Sequence, residues 1–334
     1  PATFSTGKLE VSENAIVQNL LNSGLSRVDI LDSKTLSIQN GFEIPQAKSM
    51  ELIGAGGGTL SLNEKMTLSG TLKISSQGTL NSGTVTLNGG LLDVDQNITI
   101  GSDLVHADGS SIEIENGMAL SYTGQVLNIG NLALEISGGG TFENTNNLTV
   151  DKTDSSLTIS DSTKVSRILV SASAATGNGI TISDSNAAAT GILVESLQLS
   201  ENLGVTSDTA WSVGSITVDS ALTFSNDQDV STGSLSLTGN NAEMSLGSSD
   251  ITLKVTDPVS AINTQIIRNG GGSLNFIGGV TLAASSELIG QGQQISGDIV
   301  LNGGKLTAEQ DTAFPGNISV SADSTIQIDS SKAL

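Results

Sequence analysis

Glycine-bounded stretches of alternating apolar and polar residues are the strongest constraint on how this chain can fold. Between residues 56 and 94 a Gly-Thr-Leu or Gly-Thr-Val triplet recurs at Gly58, Gly70, Gly78 and Gly83, and each triplet opens a short run with a two-residue period. That period places apolar side chains on one face of a β-strand and Thr, Ser, Lys and Asn on the other. The pattern predicts a succession of turns and short strands, and each strand has one face that is buried away from water.

Such short strands do not bury their apolar faces alone, and frequent turns favour a chain that coils, with each rung stacked on the one before. An internal match supports this reading: Leu87-Asn88-Gly89-Gly90 is echoed by Leu301-Asn302-Gly303-Gly304, and both corners lead into an alternating run. We therefore predict an all-β fold, a parallel β-solenoid. With about 20 to 24 residues per coil, the chain would form roughly fifteen coils spaced at about 4.8 Å.

Glycine suits the corners of such a coil because the backbone there needs positive φ or passes close to its neighbour. Two corner types recur, Leu-Asn-Gly-Gly and a triple glycine followed by Thr or Ser and an apolar residue. The predicted structural corners are Gly56, Gly57, Gly58, Asn88, Gly89, Gly90, Gly138, Gly139, Gly140, Gly270, Gly271, Gly272, Asn302, Gly303 and Gly304.

The predicted organisation has no linker that would divide the chain. Residues 1–25 form an N-terminal cap or an irregular first coil, since Ser12 to Gly24 has helix-start and helix-stop signals while Gly7 to Val11 alternates like a strand. Residues 26–334 form a continuous solenoid. Looser insertions are expected near 171–190, which is small and polar, and near 257–269, which contains Pro258.

Composition excludes several functions. The chain of 334 residues has a formal charge of −21 and only three arginines, so nucleic acid is not expected as a partner. It has no cysteine, and therefore neither a disulfide framework nor a thiolate metal site. No apolar run approaches the roughly 20 residues of a membrane span. Aromatic residues make up 2%, so the core must be aliphatic.

The two ends of the sequence lead to a further expectation. The start lacks the basic and apolar regions of a signal peptide, so we expect a mature or excised piece. The residues from Ser324 to Asp329 still alternate as a strand does. Solenoids usually close with an atypical cap, and we therefore expect that the protein continues beyond Leu334 or that another chain stacks there.

Catalytic motifs are weak in this sequence. His106 is the single histidine, so no site can use two imidazoles, and we predict that it is a surface or corner residue. There is no Gly-x-Ser-x-Gly elbow and no phosphate-binding glycine loop. We predict no cofactor. Trp211, the single tryptophan, is expected to plug the core, with a sugar-stacking role as the alternative.

Paired acids deserve weight because many coiled β-enzymes cleave polysaccharides with carboxylates. Three pairs at two-residue spacing point to one face of a strand: Asp93 with Asp95, Glu113 with Glu115, and Asp227 with Asp229. The sequence places no Arg, Lys or His beside them, which favours a solvated polar face. Calcium-binding loop patterns are also missing, so we predict no structural metal.

The Gly-Thr-Leu strands and Asn-Gly-Gly corners between Gly78 and Val94 resemble the passenger repeats of autotransporters and the shafts of large two-partner-secreted adhesins. The resemblance extends over about three quarters of the chain. It implies a right-handed parallel β-helix, export across a bacterial outer membrane, and display at the cell surface as an adhesin, fibre or spacer. The repeats indicate a coil rather than an activity.

Two functional hypotheses follow. The first is a non-enzymatic extracellular structural or adhesive protein, a stiff acidic rod that binds a host-cell, matrix or surface ligand, or copies of itself through its terminal rungs. The second is a polysaccharide-binding or polysaccharide-cleaving β-helix with a carboxylate-lined groove. Arg167 or Arg268 beside two carboxylates in a long groove would favour the second. An ice-binding or purely self-assembling matrix protein is a further alternative.

Overall fold

A computed structural model shows an all-β fold of parallel stacked strands, with no helix among the residues that it describes. The structure describes residues 2–3, 7–21, 25–54, 57–75, 79–107, 109–152, 154–171, 179–183, 192–199, 203–207, 210–224, 228–247 and 251–329.

The strands among these residues are, in chain order, β1 (Ala2–Thr3), β2 (Gly7–Val11), β3 (Ala15–Val17), β4 (Leu20–Leu21), β5 (Leu25–Ile30), β6 (Thr35–Ile38), β7 (Phe42–Ile44), β8 (Ser49–Gly54), β9 (Thr59–Leu68), β10 (Thr71–Ile74), β11 (Thr79–Leu87), β12 (Leu91–Val94), β13 (Ile98–Ile100), β14 (Asp103–His106), β15 (Ser110–Ile114), β16 (Ala119–Tyr122), β17 (Leu127–Asn128), β18 (Ala133–Ser137), β19 (Thr141–Asn144), β20 (Leu148–Val150), β21 (Ser156–Ser160), β22 (Lys164–Val170), β23 (Gly179–Ser183), β24 (Ile192–Leu199), β25 (Leu203–Ser207), β26 (Trp211–Val218), β27 (Ala221–Phe224), β28 (Val230–Leu237), β29 (Glu243–Leu246), β30 (Thr252–Val255), β31 (Val259–Ala261), β32 (Ile266–Arg268), β33 (Ser273–Phe276), β34 (Val280–Ala283), β35 (Glu287–Gly290), β36 (Gln294–Ser296), β37 (Ile299–Asn302), β38 (Lys305–Ala308), β39 (Ile318–Val320) and β40 (Thr325–Ile328).

The chain divides into two compact units. Unit 1 consists of Pro1–Thr149 and Ser156–Arg167, and unit 2 of Val150–Ser155 and Ile168–Leu334. The longest ladder of unit 1 runs β2-β5-β8-β10-β12-β15-β18-β21, and a second runs β3-β6-β9-β11-β14. The longest ladder of unit 2 runs β23-β25-β27-β29-β32-β35-β38-β40, beside β24-β26-β28-β30-β33-β36 and β31-β34-β37-β39.

Register within each ladder repeats once per coil. Leu72 pairs with Leu92, which follows it by 20 residues, and Leu222 pairs with Met244, which follows it by 22. These strands are parallel, so each coil returns the chain to the same position one rung further on. The prediction of a parallel β-solenoid is confirmed, with about 13 turns in the described part of the chain, slightly fewer than the roughly fifteen predicted.

The core is a column of stacked aliphatic side chains. In β10 and β12 the residues alternate between half-exposed and buried, so that Leu72, Ile74, Leu92 and Val94 all point inward. The same alternation recurs in β6, β16 and β27. Every second residue of a strand therefore contacts its counterpart in the next coil, and the remaining positions present polar and charged groups to solvent.

The N-terminal residues form strands. The helix considered between Ser12 and Gly24 is absent among the described residues, where β3 and β4 lie instead. β2 pairs with β5 and β3 with β6, in the way that later coils pair. The alternation at Gly7 to Val11 was the better signal, because tertiary stacking overrides a weak helix propensity.

Residues 257–269, where we expected an insertion, contain two ladder strands. β31 pairs with β34, and β32 pairs with β29 and β35. Pro258 precedes β31, where its missing N–H removes no ladder bond. The other expected insertion, near 171–190, lies largely outside the described residues, which there include only Ser171 and β23.

Candidate functional site

The Leu-Asn-Gly-Gly corners combine left-handed backbone with close packing against the preceding coil. The first glycine supplies the conformation: φ is 73° at Gly89 and 89° at Gly303. The second glycine has no room for a side chain, since a Cβ atom on Gly90 would lie 2.3 Å from the carbonyl oxygen of Leu68. A Cβ atom on Gly304 would likewise lie 2.5 Å from a side-chain atom of the preceding coil. The two glycines therefore meet different requirements.

The triple-glycine corners combine the same two requirements, and at Gly138 and Gly270 a single glycine meets both, with positive φ and no room for a Cβ atom beside the preceding coil. Positive φ is found at Gly57, Gly138, Gly139, Gly270 and Gly271, and a Cβ atom would collide with that coil at Gly58 and Gly140. Gly272 donates its N–H to the carbonyl oxygen of Asn269 at 2.6 Å. Asn88 donates its side-chain amide to Oγ of Ser69, Asn302 ends β37, and Gly56 lies outside the described residues.

Charged side chains line up on the solvent face of the longest ladder in unit 1. Strands in a ladder lie about 4.8 Å apart, within the reach of long side chains on neighbouring coils. We call this line the charged column; its members, in order of successive in-register pairing, are Lys8, Arg27, Glu51, Lys73, Asp93 and Glu113.

Lys73 joins the two carboxylates that the sequence pairs. Its Nζ lies 3.1 Å from Oδ2 of Asp93 and 2.5 Å from Oδ2 of Asp95. The hydrogen bond to Asp95 raises the pKa of Lys73, so this amine stays protonated. Burial, followed by the neighbouring Asp95, raises the pKa of Asp93, although Lys73 opposes both effects. The expectation that the paired acids lack a basic neighbour is therefore wrong for Asp93 and Asp95.

The coil period would have revealed this partner. Lys73 is distant from Asp93 in sequence but occupies the same position of the preceding coil. When the length of one coil is added to the residue number of Lys73, the position reached is that of Asp93. Inspection of sequence neighbours alone misses the contact, because in a solenoid the nearest neighbours of a residue lie one coil away.

At the start of the charged column, Asp29 is held by two cations. Arg27 donates from Nε to Oδ1 at 2.5 Å and from Nη2 to Oδ2 at 3.2 Å, and Nζ of Lys8 lies 2.5 Å from Oδ2. The hydrogen bond from Arg27 lowers the pKa of Asp29 despite the opposing effect of burial. Asp29 is 7% exposed, so this forked pairing satisfies a buried carboxylate.

Arg268 belongs to a similar network in unit 2. Its Nε donates to Oε1 of Glu243 at 2.7 Å, and Nζ of Lys305 lies 3.0 Å from Oε1 of Glu287. Burial would raise the pKa of Glu287, but hydrogen bonds from Thr307 and Lys305, with the charge of Arg268, outweigh it and leave the pKa lowered. Arg268 thus lies near two carboxylates, on the solvent face of a ladder.

The other predicted candidates are separated. Glu113 and Glu115 are exposed on β15 and the residue after it. Arg167 is exposed on β22, in unit 1. Asp227 lies outside the described residues. Oδ1 of Asp229 accepts a hydrogen bond from the backbone N–H of Thr252 at 2.8 Å, which fixes the start of β30.

Asp229 also borders a shallow depression of about 210 Å³ in unit 2. Polar and apolar side chains both line it, with Ala210, Trp211 and Val230 as the apolar ones. Among the lining residues are Ser212, Asp229, Ser231, Thr252, Lys254 and Asn275. Hydroxyl, carboxylate, amine and amide groups from successive coils therefore converge on one patch of surface.

Neither His106 nor Trp211 is a surface residue. His106 is 6% exposed and ends β14 on the inward side, in register with Leu87, so the prediction of a surface or corner position is wrong. The alternation Asp103-Leu104-Val105-His106 already carries that signal. Trp211 is 2% exposed and its ring meets Phe224 edge-on at 6.4 Å, which confirms the predicted core plug.

Within the described part of the chain, no group of three or more His, Asp or Glu side chains has a metal-binding arrangement. Nor do these residues include a helix of the length and apolarity needed to cross a bilayer.

The ladders, the aliphatic core and the corner glycines define the class of protein to which this chain belongs, the parallel β-solenoids. Comparison with protein-family models, with curated proteins and with solved structures found no match.

Proposed function

We propose that this chain is a non-enzymatic extracellular structural or adhesive protein, a stiff acidic shaft of the kind used by bacterial autotransporter passengers and two-partner-secreted adhesins. The observation that supports it most directly is the repeated in-register pairing of each coil with the next, with aliphatic residues inside. Such a stack derives its stability from ladder hydrogen bonds and apolar contacts between nearest neighbours, and it lengthens without a new kind of interaction.

Charge placement supports the same proposal. The cations of the charged column pair with carboxylates on their own or neighbouring coils, so their charges bind coil to coil. Against 34 acidic residues the chain has only 13 lysines and arginines, so most carboxylates remain as a negative surface. A strongly negative surface keeps an elongated protein soluble and repels other anionic surfaces. The ligand of an adhesive shaft would then be a host-cell, matrix or surface component.

Two measurements test the proposal: the cellular location of the protein and its resistance to stretching. Immunogold electron microscopy of the producing cells should place the protein outside the cell, at the surface. Single-molecule stretching of the purified chain should give stepwise unfolding at forces typical of stacked coils. Labelling confined to the cell interior would contradict the proposal.

A polysaccharide-binding or polysaccharide-cleaving role is the second candidate, and two observations favour it. Asp93, with its raised pKa, lies beside Asp95 and Lys73, and Asp229 lines a surface depression together with Lys254 and Trp211. Incubation with a panel of acidic and neutral polysaccharides, followed by a reducing-end assay, separates the two candidates. Turnover that is lost in Asp93→Asn but kept in Glu113→Gln would establish the enzyme.

A further inference from the structure

Asn-Gly dipeptides occur six times in the sequence, beginning at Asn40, Asn88, Asn116, Asn178, Asn269 and Asn302. In such a dipeptide the backbone nitrogen of the glycine can attack Cγ of the asparagine, because glycine has no side chain to obstruct the approach. A hydrogen bond that engages the asparagine amide or the glycine N–H opposes this attack, since the bond must break first. Asn178 lies outside the described residues. The hydrogen bonding of the other five dipeptides indicates how reactive each of them is.

The two Leu-Asn-Gly-Gly corners engage the attacking nitrogen. The N–H of Gly89 donates to Oγ of Ser110 at 3.2 Å. The N–H of Gly303 donates to Oγ of Ser324 at 2.9 Å. In both cases the hydroxyl group belongs to the next coil, so the stacking of coils itself protects these corners from the reaction.

Three asparagines are restrained at their side chains. Nδ2 of Asn88 donates to Oγ of Ser69 at 3.0 Å, and Nδ2 of Asn40 donates to Oδ1 of Asn19 at 2.7 Å. Asn269 is 0% exposed. Each of these side chains must leave its present position before its Cγ can meet the nitrogen of the following glycine.

Asn116-Gly117 has none of these restraints. The dipeptide forms the middle of a turn, which the N–H of Met118 closes on the carbonyl oxygen of Glu115 at 2.9 Å, and φ is 82° at Gly117. Both residues of the dipeptide are exposed. Among the described residues, no hydrogen bond reaches the side chain of Asn116 or the N–H of Gly117. The two reacting groups are therefore free to meet whenever the turn opens locally.

We propose that Asn116 is a site of spontaneous covalent modification in the folded protein. The nitrogen of Gly117 forms a bond to Cγ of Asn116, the bond from Cγ to Nδ2 breaks, and Nδ2 leaves as ammonia with the proton that Gly117 loses. Water then opens the resulting succinimide ring at either of its carbonyl carbons. One product is aspartate. In the other product, isoaspartate, the main chain runs through Cγ and is longer by a methylene group.

The next coil packs closely against this turn. A Cβ atom on Gly140 would lie 2.7 Å from the carbonyl oxygen of Glu115, and one on Gly139 would lie 3.4 Å from Cβ of Asn116. A main chain that is lengthened at Asn116 does not fit against such a corner without displacing it. Isoaspartate should therefore loosen the contact between two coils of unit 1, whereas aspartate should add only a charge.

The experiment follows the full 334-residue chain, folded in buffer and unfolded in urea, during incubation at physiological temperature and pH. Cleavage after glutamate followed by mass spectrometry measures the conversion of each asparagine, and a methyl-transfer assay specific for isoaspartate identifies that product. In urea the dipeptides should convert at similar rates, because each asparagine is followed by glycine. In the folded protein Asn116 should convert about tenfold faster than Asn88 and Asn302, since hydrogen bonds must break at those two residues.

Two variants test the cause and the consequence. Ser110→Ala removes the acceptor of the Gly89 N–H, so conversion at Asn88 should rise while conversion at Asn116 stays as in the wild type. Asn116→Asp carries the added charge without the longer main chain. Its melting temperature should match that of the unmodified wild type, whereas wild-type protein enriched in isoaspartate by ion exchange should melt at a lower temperature. Circular dichroism establishes that each protein is folded.

Two outcomes in the wild type would overturn the proposal: conversion at Asn88 or Asn302 as fast as at Asn116, or an unmodified Asn116 in the folded protein while the urea sample converts. Neither measurement needs a variant, so the test stands even if Ser110→Ala does not fold. A folded Ser110→Ala in which Asn88 converts no faster than in the wild type would also contradict the explanation by hydrogen bonding. The proposal does not rest on the extracellular role suggested above, and either can fail without the other.

Discussion

Nζ of Lys73 lies 3.1 Å from Oδ2 of Asp93 on the next coil, and the same amine holds Asp95. One cation thus compensates two carboxylates that would otherwise repel each other. The cluster illustrates how charges stabilise a solenoid: the pairing joins neighbouring rungs, and the charges stay on the outer face.

Replacing this lysine should destabilise unit 1 in a pH-dependent way. Lys73→Gln leaves the two acids facing each other, and we expect a loss of about 1 to 2 kcal/mol in unfolding free energy at pH 7. The loss should shrink as pH falls and Asp93 protonates, because its repulsion with Asp95 then disappears. Thermal melting between pH 3 and 7 measures both effects. Lys164→Gln, at an exposed lysine on β22, is the control. An equal loss at every pH would contradict the role assigned to Lys73.

The contribution of Asp29 to the unfolding free energy should depend on pH, because the pKa of this carboxylate is lowered in the folded state. Such a group stabilises the fold fully above its unfolded pKa, near 4, and the stabilisation is lost as pH falls through the folded value. Asp29→Asn should lower the unfolding free energy by about 1 kcal/mol at pH 7. The loss is modest because the side chains of Lys8 and Arg27 are about half exposed. Parallel melts of wild type and variant should converge at low pH. The exposed Asp32→Asn serves for comparison and should have little effect at any pH.

Gly90 tests the corner geometry. A Cβ atom there would lie 2.3 Å from one carbonyl oxygen and 2.5 Å from another, both in backbone that cannot easily move. Gly90→Ala should therefore destabilise unit 1 by about 2 kcal/mol or more. At Gly101 the nearest atom would be 3.6 Å away, so Gly101→Ala should be nearly neutral. Chemical denaturation of the two variants measures the difference. Similar denaturation midpoints would show that the backbone at the Gly90 corner shifts to accept a Cβ atom.

Gln265 is a buried polar residue with a structural role. Its Nε2 donates to the carbonyl oxygens of Leu237 and Gly239, and its Oε1 accepts from the N–H of Ile262. Gln265→Leu leaves these backbone groups without hydrogen-bond partners and should lower the unfolding free energy by about 3 kcal/mol.

Gln265→Glu should cost more at pH 7 than Gln265→Leu, since it buries a charge as well. The fluorescence of Trp211, in the same unit, reports unfolding. Gln198→Leu, at an exposed position of β24, provides the matched control. A leucine variant as stable as the wild type would show that water replaces the amide.

The architecture was predictable because its signals are local and repeated. Alternation in segments such as Leu91 to Val94 fixes the inward face, and the glycines mark the corners. The alternation also places His106 on the inward face, a signal that decides the position because histidine itself is intermediate between buried and exposed residue types. Residues 257–269 differ from the expected insertion for a related reason: a proline can interrupt a ladder, but Pro258 stands just before β31.

The ion-pair clusters were harder to predict because their members are separated in sequence. Lys73 and Asp93, or Arg268 and Glu243, meet only after the chain has completed a coil. Coil lengths differ, so the offset that joins such residues has to be known for each coil. A sequence pattern gives the face of a residue reliably, but it gives the neighbour across the ladder only when the register is known.

The echo between Leu87-Asn88-Gly89-Gly90 and Leu301-Asn302-Gly303-Gly304 has a consequence for how such a chain can change over time. Since a rung meets only the rungs directly above and below it, gain or loss of one whole period alters two contacts and leaves the others intact. A loss of half a period would turn apolar residues outward. Genetic duplication and deletion should therefore be tolerated in steps of one whole coil.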